Sequence, residues 1–310
     1  MSKTVLVTGG SGFIGRHLCR ELLENGRQVR VLDSLVEQVH GADAQSDPDI
    51  EFLHGDVRDA QLVARAVKGV DAVIHLAAEV GVGQSMYEIA RYVGANDLGT
   101  AVLLEALIDA PVDRIVVASS MSVYGEGAYA TASGSVRNDV RRNAKDVRAG
   151  RWNPTDADGG ALTPQPTPET KTVNLASIYA LTKYAQEREV LIFGEAYDRT
   201  AVALRLFNVF GPGQALSNPY TGVLANFASR IVNGEPPLIF EDGEQRRDFV
   251  HVSDVARAFR LALDADGVAG ETINIGSGRS YSVSGVARIL AEAMGSDLQP
   301  EILNKARSGD

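Results

Sequence analysis

The chain has 310 residues, 40 acidic against 30 basic, a formal net charge of −10 and 45% hydrophobic residues. Such a length suits one large α/β domain, or a nucleotide-binding domain with a smaller appendage, around a substantial core. The acidic balance disfavours nucleic acid and anionic membranes as partners. The single cysteine, Cys19, excludes an internal disulfide and fits a reducing compartment. No apolar run approaches the roughly 20 residues that span a bilayer, and "MSKTVLVTGG" does not read as a signal peptide. The expectation is a soluble cytoplasmic protein.

The chain opens with a β-branched apolar run, Thr4 to Thr8, then glycines, then Phe13, Ile14, Leu18, Leu22 and Leu23 at helical spacing, with a stop at Gly26. Strand, glycine turn and helix make a phosphate site. Gly9 permits the tight turn, Gly12 lets the backbone approach a pyrophosphate, and Gly15 lets the helix pack on the strand. The spacing is G-x-x-G-x-x-G. "QVRVLD" reads as a second strand ending in Asp33, whose carboxylate can take the adenosine ribose hydroxyls and repel a 2′-phosphate, favouring NAD over NADP. Ser34 and Leu35 follow it.

A third strand, "IEFLHGD", leads to Asp56 and Val57, placed to border an adenine. "DAVIHLAA" is a fourth, breaking at Leu76 into Ala77 and Ala78, small enough for a cofactor to lie on the backbone. "DRIVVASS" is a fifth, ending in Ser119 and Ser120. Helical segments fall near 59–68 and 96–109. This alternation predicts a Rossmann-type, doubly wound parallel sheet with its ligand at the strand carboxyl ends. Further on, "SIYALTKYAQE" places Tyr179 and Lys183 one helical turn apart on a shared face.

Five stretches in order, "TGGSGFIG" at 8–15, "HLAA" at 75–78, "SSMSVYG" at 119–125, "YALTK" at 179–183 and "RDFVHVSD" at 247–254, resemble the extended short-chain dehydrogenase/reductases, in the branch of NAD-dependent nucleotide-sugar epimerases and dehydratases. The resemblance implies an isomerase that binds NAD and a nucleotide-diphosphate sugar. It makes Tyr179 the general acid or base, with Lys183 lowering its pKa and holding the nicotinamide ribose, and Ser120 hydrogen-bonded to the same sugar oxygen. Phe13, Ile14, Asn96, Ser119 and Phe207 join the cofactor contacts. Ser85, Asn208, Val223, Phe240, Arg247, Arg307 and Asp310 are the implied substrate contacts, Phe240 stacking on the base and Arg247 on the diphosphate. Family members continue beyond the 307–310 element. His251 reads as structural.

Family dehydratases follow the serine or threonine with an Asp-Glu pair, because elimination of water needs its own acid and base. Here Met121 and Ser122 follow Ser120, so dehydration is disfavoured. The expected reaction is removal of hydride from the sugar C4 and its return to the opposite face. A 4-ketoreductase of the same fold and a non-catalytic NAD-binding sensor are the alternatives.

The expected domains are 1–211, binding NAD, and 212–310, binding mainly substrate, smaller, discontinuous and interleaved with the first. A homodimer through helices near 96–109 and 176–196 is implied by the resemblance. Between "VYG" and "YALTK" lies an insertion, about 126–170, with Trp152, "TPQPTPE" and six basic residues between 137 and 151, but no Cys or His. A metal site is not expected. The segment reads by default as a surface loop, with folding beside the sugar pocket as the alternative, since its ends abut Tyr124 and Tyr179. Its layout resembles a subgroup that includes dTDP-L-rhamnose 4-epimerase-type enzymes, whose insertion often carries cysteines this one lacks; the nucleotide is left open among dTDP, UDP and GDP, in that order, with a dTDP-6-deoxyhexose as the expected substrate.

Overall fold

The computed structural model describes residues 3–41, 47–110, 112–215 and 222–306. The apolar run forms β1 (Thr4–Thr8), and α1 (Phe13–Glu24) follows with Gly15, Leu18, Cys19 and Leu22 buried at helical spacing. Next come β2 (Gln28–Asp33), the short α2 (Glu37–His40) and β3 (Glu51–His54). The α3 helix (Ala60–Ala66) starts at Asp59, whose carboxylate accepts the Gln61 and Leu62 amides, a standard way to satisfy orphan helix donors. After β4 (Ala72–His75) come two single turns, α4 (Val82–Ser85) and α5 (Ile89–Tyr92). A π-helical segment, Val93–Leu98, then runs into α6 (Gly99–Leu107), which leads to β5 (Arg114–Ser120).

The insertion folds. It supplies β6 (Ala128–Ala130), β7 (Val136–Arg137), α7 (Ala144–Arg148) and β8 (Thr163–Gln165), and the three strands form an antiparallel sheet with β6 in the middle. The expectation of a surface loop is corrected here. Composition hid the cross-strand pairs Tyr129–Arg137 and Tyr129–Pro164, which proline and short strand length obscure.

The long α8 (Ile178–Ala196) is capped by Ser177, which accepts the Ala180 amide. It leads into β9 (Thr200–Leu206) and β10 (Asn208–Phe210), then α9 (Val223–Val232), β11 (Leu238–Ile239) and β12 (Arg246–His251). The rest is α10 (Val252–Asp264), β13 (Thr272–Ile275), β14 (Ser280–Ser282), α11 (Val283–Ala293) and β15 (Glu301–Ile302).

Seven strands make the main sheet in the order β13-β9-β5-β4-β1-β2-β3, with every pairing parallel. The chain reverses its direction of winding between β1 and β4, where an open α/β sheet leaves its ligand crevice. One face is covered by α3, α6 and α8 around Leu103, Leu107, Ile115 and Val190. The other carries α1 and α10 around Leu18, Leu22, Val255 and Phe259. A small sheet of β10, β12 and β14, the β11–β15 pair, and a core of Phe227, Ile239 and Ala287 form the second unit. That unit is not contiguous: α10 and β13, both beyond residue 211, belong to the large sheet layer.

Candidate active site

The glycine turn is built by contact rather than by flexibility alone. Gly9 has φ +70°, and a Cβ there would meet the Ala77 amide nitrogen at 2.8 Å. A Cβ on Gly15 would strike the Gly9 carbonyl oxygen at 2.4 Å. At Gly12 it would meet just the Gly9 oxygen, at 3.3 Å, so its outer side is open. No side chain caps α1, whose first amides therefore face the cleft undressed. An uncapped helix N-terminus beside an open glycine suits a pyrophosphate.

Asp33 ends β2 beside this turn. Its Oδ2 accepts the Ser11 amide at 2.9 Å and its Oδ1 the Leu35 amide at 2.9 Å. Burial works against its charge, but hydrogen bonds from His40, Leu35 and Ser11 outweigh that and hold the carboxyl below the usual range. The result is a fixed anion at the crevice edge, which fits ribose hydroxyls and opposes a further phosphate. Asp56 is held by Arg58 through Nε at 2.9 Å and Nη2 at 2.6 Å.

These residues line one cleft of ≈ 820 Å³. It brings together Gly9, Gly12, Phe13, Ile14, Gly15, Asp33, Ser34, Asp56, Val57, Leu76, Ala77 and Ala78 with Ser119, Ser120, Tyr179, Lys183, Phe207, Asn208 and Val223. Leu35, Asn96, Ser85, Phe240 and Arg247 do not line it. Leu35 spends its amide on Asp33. Asn96 is buried, accepting the Glu79 amide at 2.7 Å and donating to Thr182 Oγ1 at 2.8 Å, so it braces the loop after β4 against α8. Ser85 accepts the Tyr179 amide at 3.0 Å and donates to the Val82 carbonyl, fixing the backbone of the tyrosine. Phe240 is exposed, and Arg247, also exposed, donates to the Arg246 carbonyl. Arg307 and Asp310 lie outside the described residues. His251 caps α10 by accepting the Ser253 amide.

At the carboxyl end of β5, the Ser120 hydroxyl meets the Tyr179 phenol. Burial pushes the Tyr179 pKa up, and the hydrogen bond with Ser120 opposes it. Lys183, one turn along α8, is buried and its pKa falls to about 7, with the Glu187 carboxylate pulling it back. Ser120 also accepts the Ser122 amide at 3.1 Å, and Met121 and Ser122 line the cleft beside it.

Three groups that patterning did not reveal complete the site. Glu187 is paired with Arg205 of β9 at 2.6 and 2.9 Å, both nearly inaccessible, and accepts the Ser119 hydroxyl at 2.6 Å. Arg16 and His17, in the first turns of α1, reach the Gly213 and Pro212 carbonyls at 2.9 Å each, tying α1 to the loop after β10. Glu79 and Arg91, paired at 2.8 Å, line the cleft. None has a local signal beyond its residue type, because each partner lies on another element, 12 to 197 residues along the chain.

A parallel sheet with a glycine turn, a fixed strand-end carboxylate and a Ser–Tyr–Lys constellation defines a dinucleotide-dependent α/β enzyme. Residues 5–143 and 155–276 match the NAD dependent epimerase/dehydratase family. The dTDP-L-rhamnose 4-epimerase of Burkholderia thailandensis is 35% identical, over 99% of this chain and 85% of that protein. Among solved structures, UDP-glucose 4-epimerase of Thermotoga maritima with UDP-glucose gives a TM-score of 0.79 at 32% identity, over 99% and 87% of the two chains. UDP-glucose 4-epimerase of Thermus thermophilus with NAD gives 0.76 at 31%, over 99% and 88%. The chain belongs to the NAD-dependent epimerase/dehydratase family, an isomerase whose cofactor is NAD. Among the described residues no helix is long and apolar enough to cross a membrane.

Proposed function

We propose that this protein is a nucleotide-sugar 4-epimerase acting on a dTDP-6-deoxyhexose. Bound NAD supplies an acceptor that takes hydride from the sugar C4 and gives it back. Everything else falls to side chains of this chain. Tyr179 takes the C4 hydroxyl proton as the carbon is oxidised and returns it as the ketone is reduced, while Ser120 holds the same oxygen. Lys183 supplies the positive charge that stabilises a phenolate against the pull of burial. Rotation of the 4-keto sugar in the pocket would present its other face, and reduction there would invert the configuration.

The observation that carries this reading is the pairing of an intact Ser120–Tyr179–Lys183 set with Met121 and Ser122 as its neighbours on the cleft wall. Neither neighbour can serve as the acid and base that elimination of water demands. The dTDP-sugar assignment draws on the Burkholderia relative and on the insertion. Of the implied substrate contacts, Asn208 and Val223 line the cleft, Ser85 acts through the Tyr179 backbone, and Phe240 and Arg247 are exposed and do not line it. The apolar Val93, Leu98, Leu181 and Ile192, exposed on the π-helical segment and α8, support a homodimer through these helices. The single cysteine supports a cytoplasmic setting.

Proton NMR of a dTDP-6-deoxyhexose incubated with the protein tests the reading. The 4-epimer should accumulate to an equilibrium ratio without added NADH, and Tyr179→Phe should lower turnover at least about a hundredfold. Stoichiometric NADH consumption with a 4-keto sugar, and no isomer exchange, would make the protein a ketoreductase instead. Unchanged turnover in Tyr179→Phe would dismiss the catalytic assignment.

A further inference from the structure

Behind Lys183 lies a fully buried amide that the reaction as described does not use. Gln186 sits on α8 three residues after Lys183, on the same helix face, and has no exposed surface. Its Oε1 accepts the Lys183 ammonium at 2.6 Å. Its Nε2 donates to Thr100 Oγ1 at 2.9 Å and to the Ala77 carbonyl at 3.3 Å, and lies 3.1 Å from His75 Nε2. The orientation of the amide is fixed by chemistry, because an ammonium offers donors alone and the Ala77 carbonyl accepts alone. Thr100 in turn donates to the Asn96 carbonyl at 2.6 Å, and His75 Nδ1 lies 2.7 Å from Thr8 Oγ1. Gln186 thus joins the end of β4, the start of α6 and the catalytic face of α8 at one point.

We propose that Gln186 is a positioning residue that keeps the Lys183 ammonium charged and aimed into the cleft, and so sets the pH at which Tyr179 works. The inference rests on the proposed roles of Tyr179 and Lys183. A hydrogen bond accepted from the charged form of a group favours that form. Among the described residues Gln186 is the hydrogen-bond acceptor of the ammonium, while the Glu187 charge favours the protonated form without bonding it. Glu187 on the same helix is already engaged by Arg205 of β9 and by Ser119 of β5. His75 of β4 is uncharged at neutral pH, since burial and the Lys183 charge push its pKa down to about 3. Tyr92 of α5 stands edge-on to the Tyr179 ring at 6.5 Å. Asp97 of the π-helical segment acts on Glu189. Tyr124, in the turn after β5, is bonded to Arg205 and Asn274.

The sign follows directly. Without the Gln186 acceptor, Lys183 loses its proton more readily and less positive charge faces Tyr179. The phenol pKa then rises, and the acid limb of the pH–rate profile moves to higher pH by about one unit. A carboxylate at this position would hold the ammonium protonated to higher pH but oppose its field at Tyr179, so the limb would not fall although Lys183 keeps its proton.

The test is the pH dependence of kcat for NAD-loaded wild type, Gln186→Leu and Gln186→Glu, read by NMR of the product isomer, with the Lys183 titration (NMR of carbon-13-labelled lysine), thermal midpoint and bound NAD measured alongside. Gln186→Leu should lose about tenfold at pH 7 and regain most of it as pH rises, with Lys183 titrating at lower pH than in wild type, while in Gln186→Glu Lys183 titrates at higher pH. A loss in Gln186→Leu that is equal at every pH, no loss at all, or a Lys183 titration that does not fall in that variant would overturn the proposal. Should the leucine variant fail to accumulate, Gln186→Glu alone decides: a Lys183 titration moved to higher pH sustains the idea, an unmoved or lowered one ends it. Activity in Tyr179→Phe would instead break the underlying reading, so the two failures are told apart.

Discussion

Replacing Arg205 with methionine isolates the energetics that support the site. The guanidinium makes two hydrogen bonds to Glu187, 2.6 and 2.9 Å, with side-chain exposures of 6% and 1%. It also donates to the Tyr124 hydroxyl at 2.8 Å, with its central carbon 4.8 Å from that ring's centre. The substitution keeps the apolar stem but leaves Glu187 buried with the Ser119 hydroxyl as its remaining partner. Breaking a buried pair by removing one member costs about 3–5 kcal/mol, because the charge left behind is uncompensated. Unfolding entropy near 2.1 cal/mol/K per residue makes 1 kcal/mol worth roughly 1.5 °C in a chain of this size, so Tm should fall by about 5–8 °C. Replacing both members, as Arg205→Met with Glu187→Leu, removes the stranded charge. The double variant should lose about 1 kcal/mol, for the unpaired Ser119 and Tyr124 hydroxyls. Differential scanning calorimetry at fixed protein and NAD concentration measures both. A single-variant loss under about 1 kcal/mol, or a double variant less stable than the single, would refute this account.

Asp33→Ala should weaken NAD binding about tenfold and let NADP bind with comparable strength, because the fixed anion proposed to take the ribose hydroxyls is gone; fluorescence titration of both dinucleotides checks it. Gly15→Ala should abolish cofactor retention and lower stability by several kcal/mol, since its methyl would lie 2.4 Å from the Gly9 oxygen. Gly12→Ala, at 3.3 Å from the same atom, should fold and show weaker NAD binding, and indistinguishable behaviour of the two would contradict the turn geometry. Burial raises the pKa of Asp97 to about 6, while burial and then the Asp97 charge raise that of Glu189 to about 7. Both fold with more protons bound than they hold unfolded, so the penalty is absent near pH 4 and grows through pH 6–7 to its full size at pH 8. Glu189→Gln should therefore gain about 1 kcal/mol at pH 8, discounted for partial exposure, and nothing at pH 4 in urea melts.

The parts of the site legible from sequence are those made within one or two adjacent elements. The glycine turn, Asp33 and the Tyr179–Lys183 spacing all depend on residues a few positions apart, or on one strand end following another. Gln186 and Glu187 stand in the same quoted stretch, "YALTKYAQE". Their meaning depends on Thr100, Ala77 and His75, which are 86, 109 and 111 residues away, and on Arg205 from the next strand. Nothing in a local pattern distinguishes Gln186 from a solvated helix residue. Asn96 and Ser85 err the other way: position singles them out, yet their hydrogen bonds brace backbone around the cleft. The insertion was obscured by its prolines and glycines. Arg142 ties it down, bonding Glu126 at its start and Glu241 beside β11, each at 2.5 Å.

The placement of charge around Lys183 has its own logic. A carboxylate alone behind the ammonium would have cancelled its field at Tyr179, where positive potential is needed to offset the rise imposed by burial. Here Glu187 is paid off by Arg205 on the side away from the cleft. The acceptor nearest Lys183 is the neutral Gln186 amide, which satisfies the ammonium without annulling it. Lys183, Glu187 and Arg205 together keep one net positive charge, and the member lining the cleft is Lys183. Arg205→Met would then do more than destabilise: the freed Glu187 carboxylate would turn its field on Lys183 and cancel the charge that Tyr179 feels. The acid limb of the surviving activity should rise, and adding Glu187→Leu should bring it back. On the proposed role of Tyr179, stability and proton transfer then depend on the same buried pair.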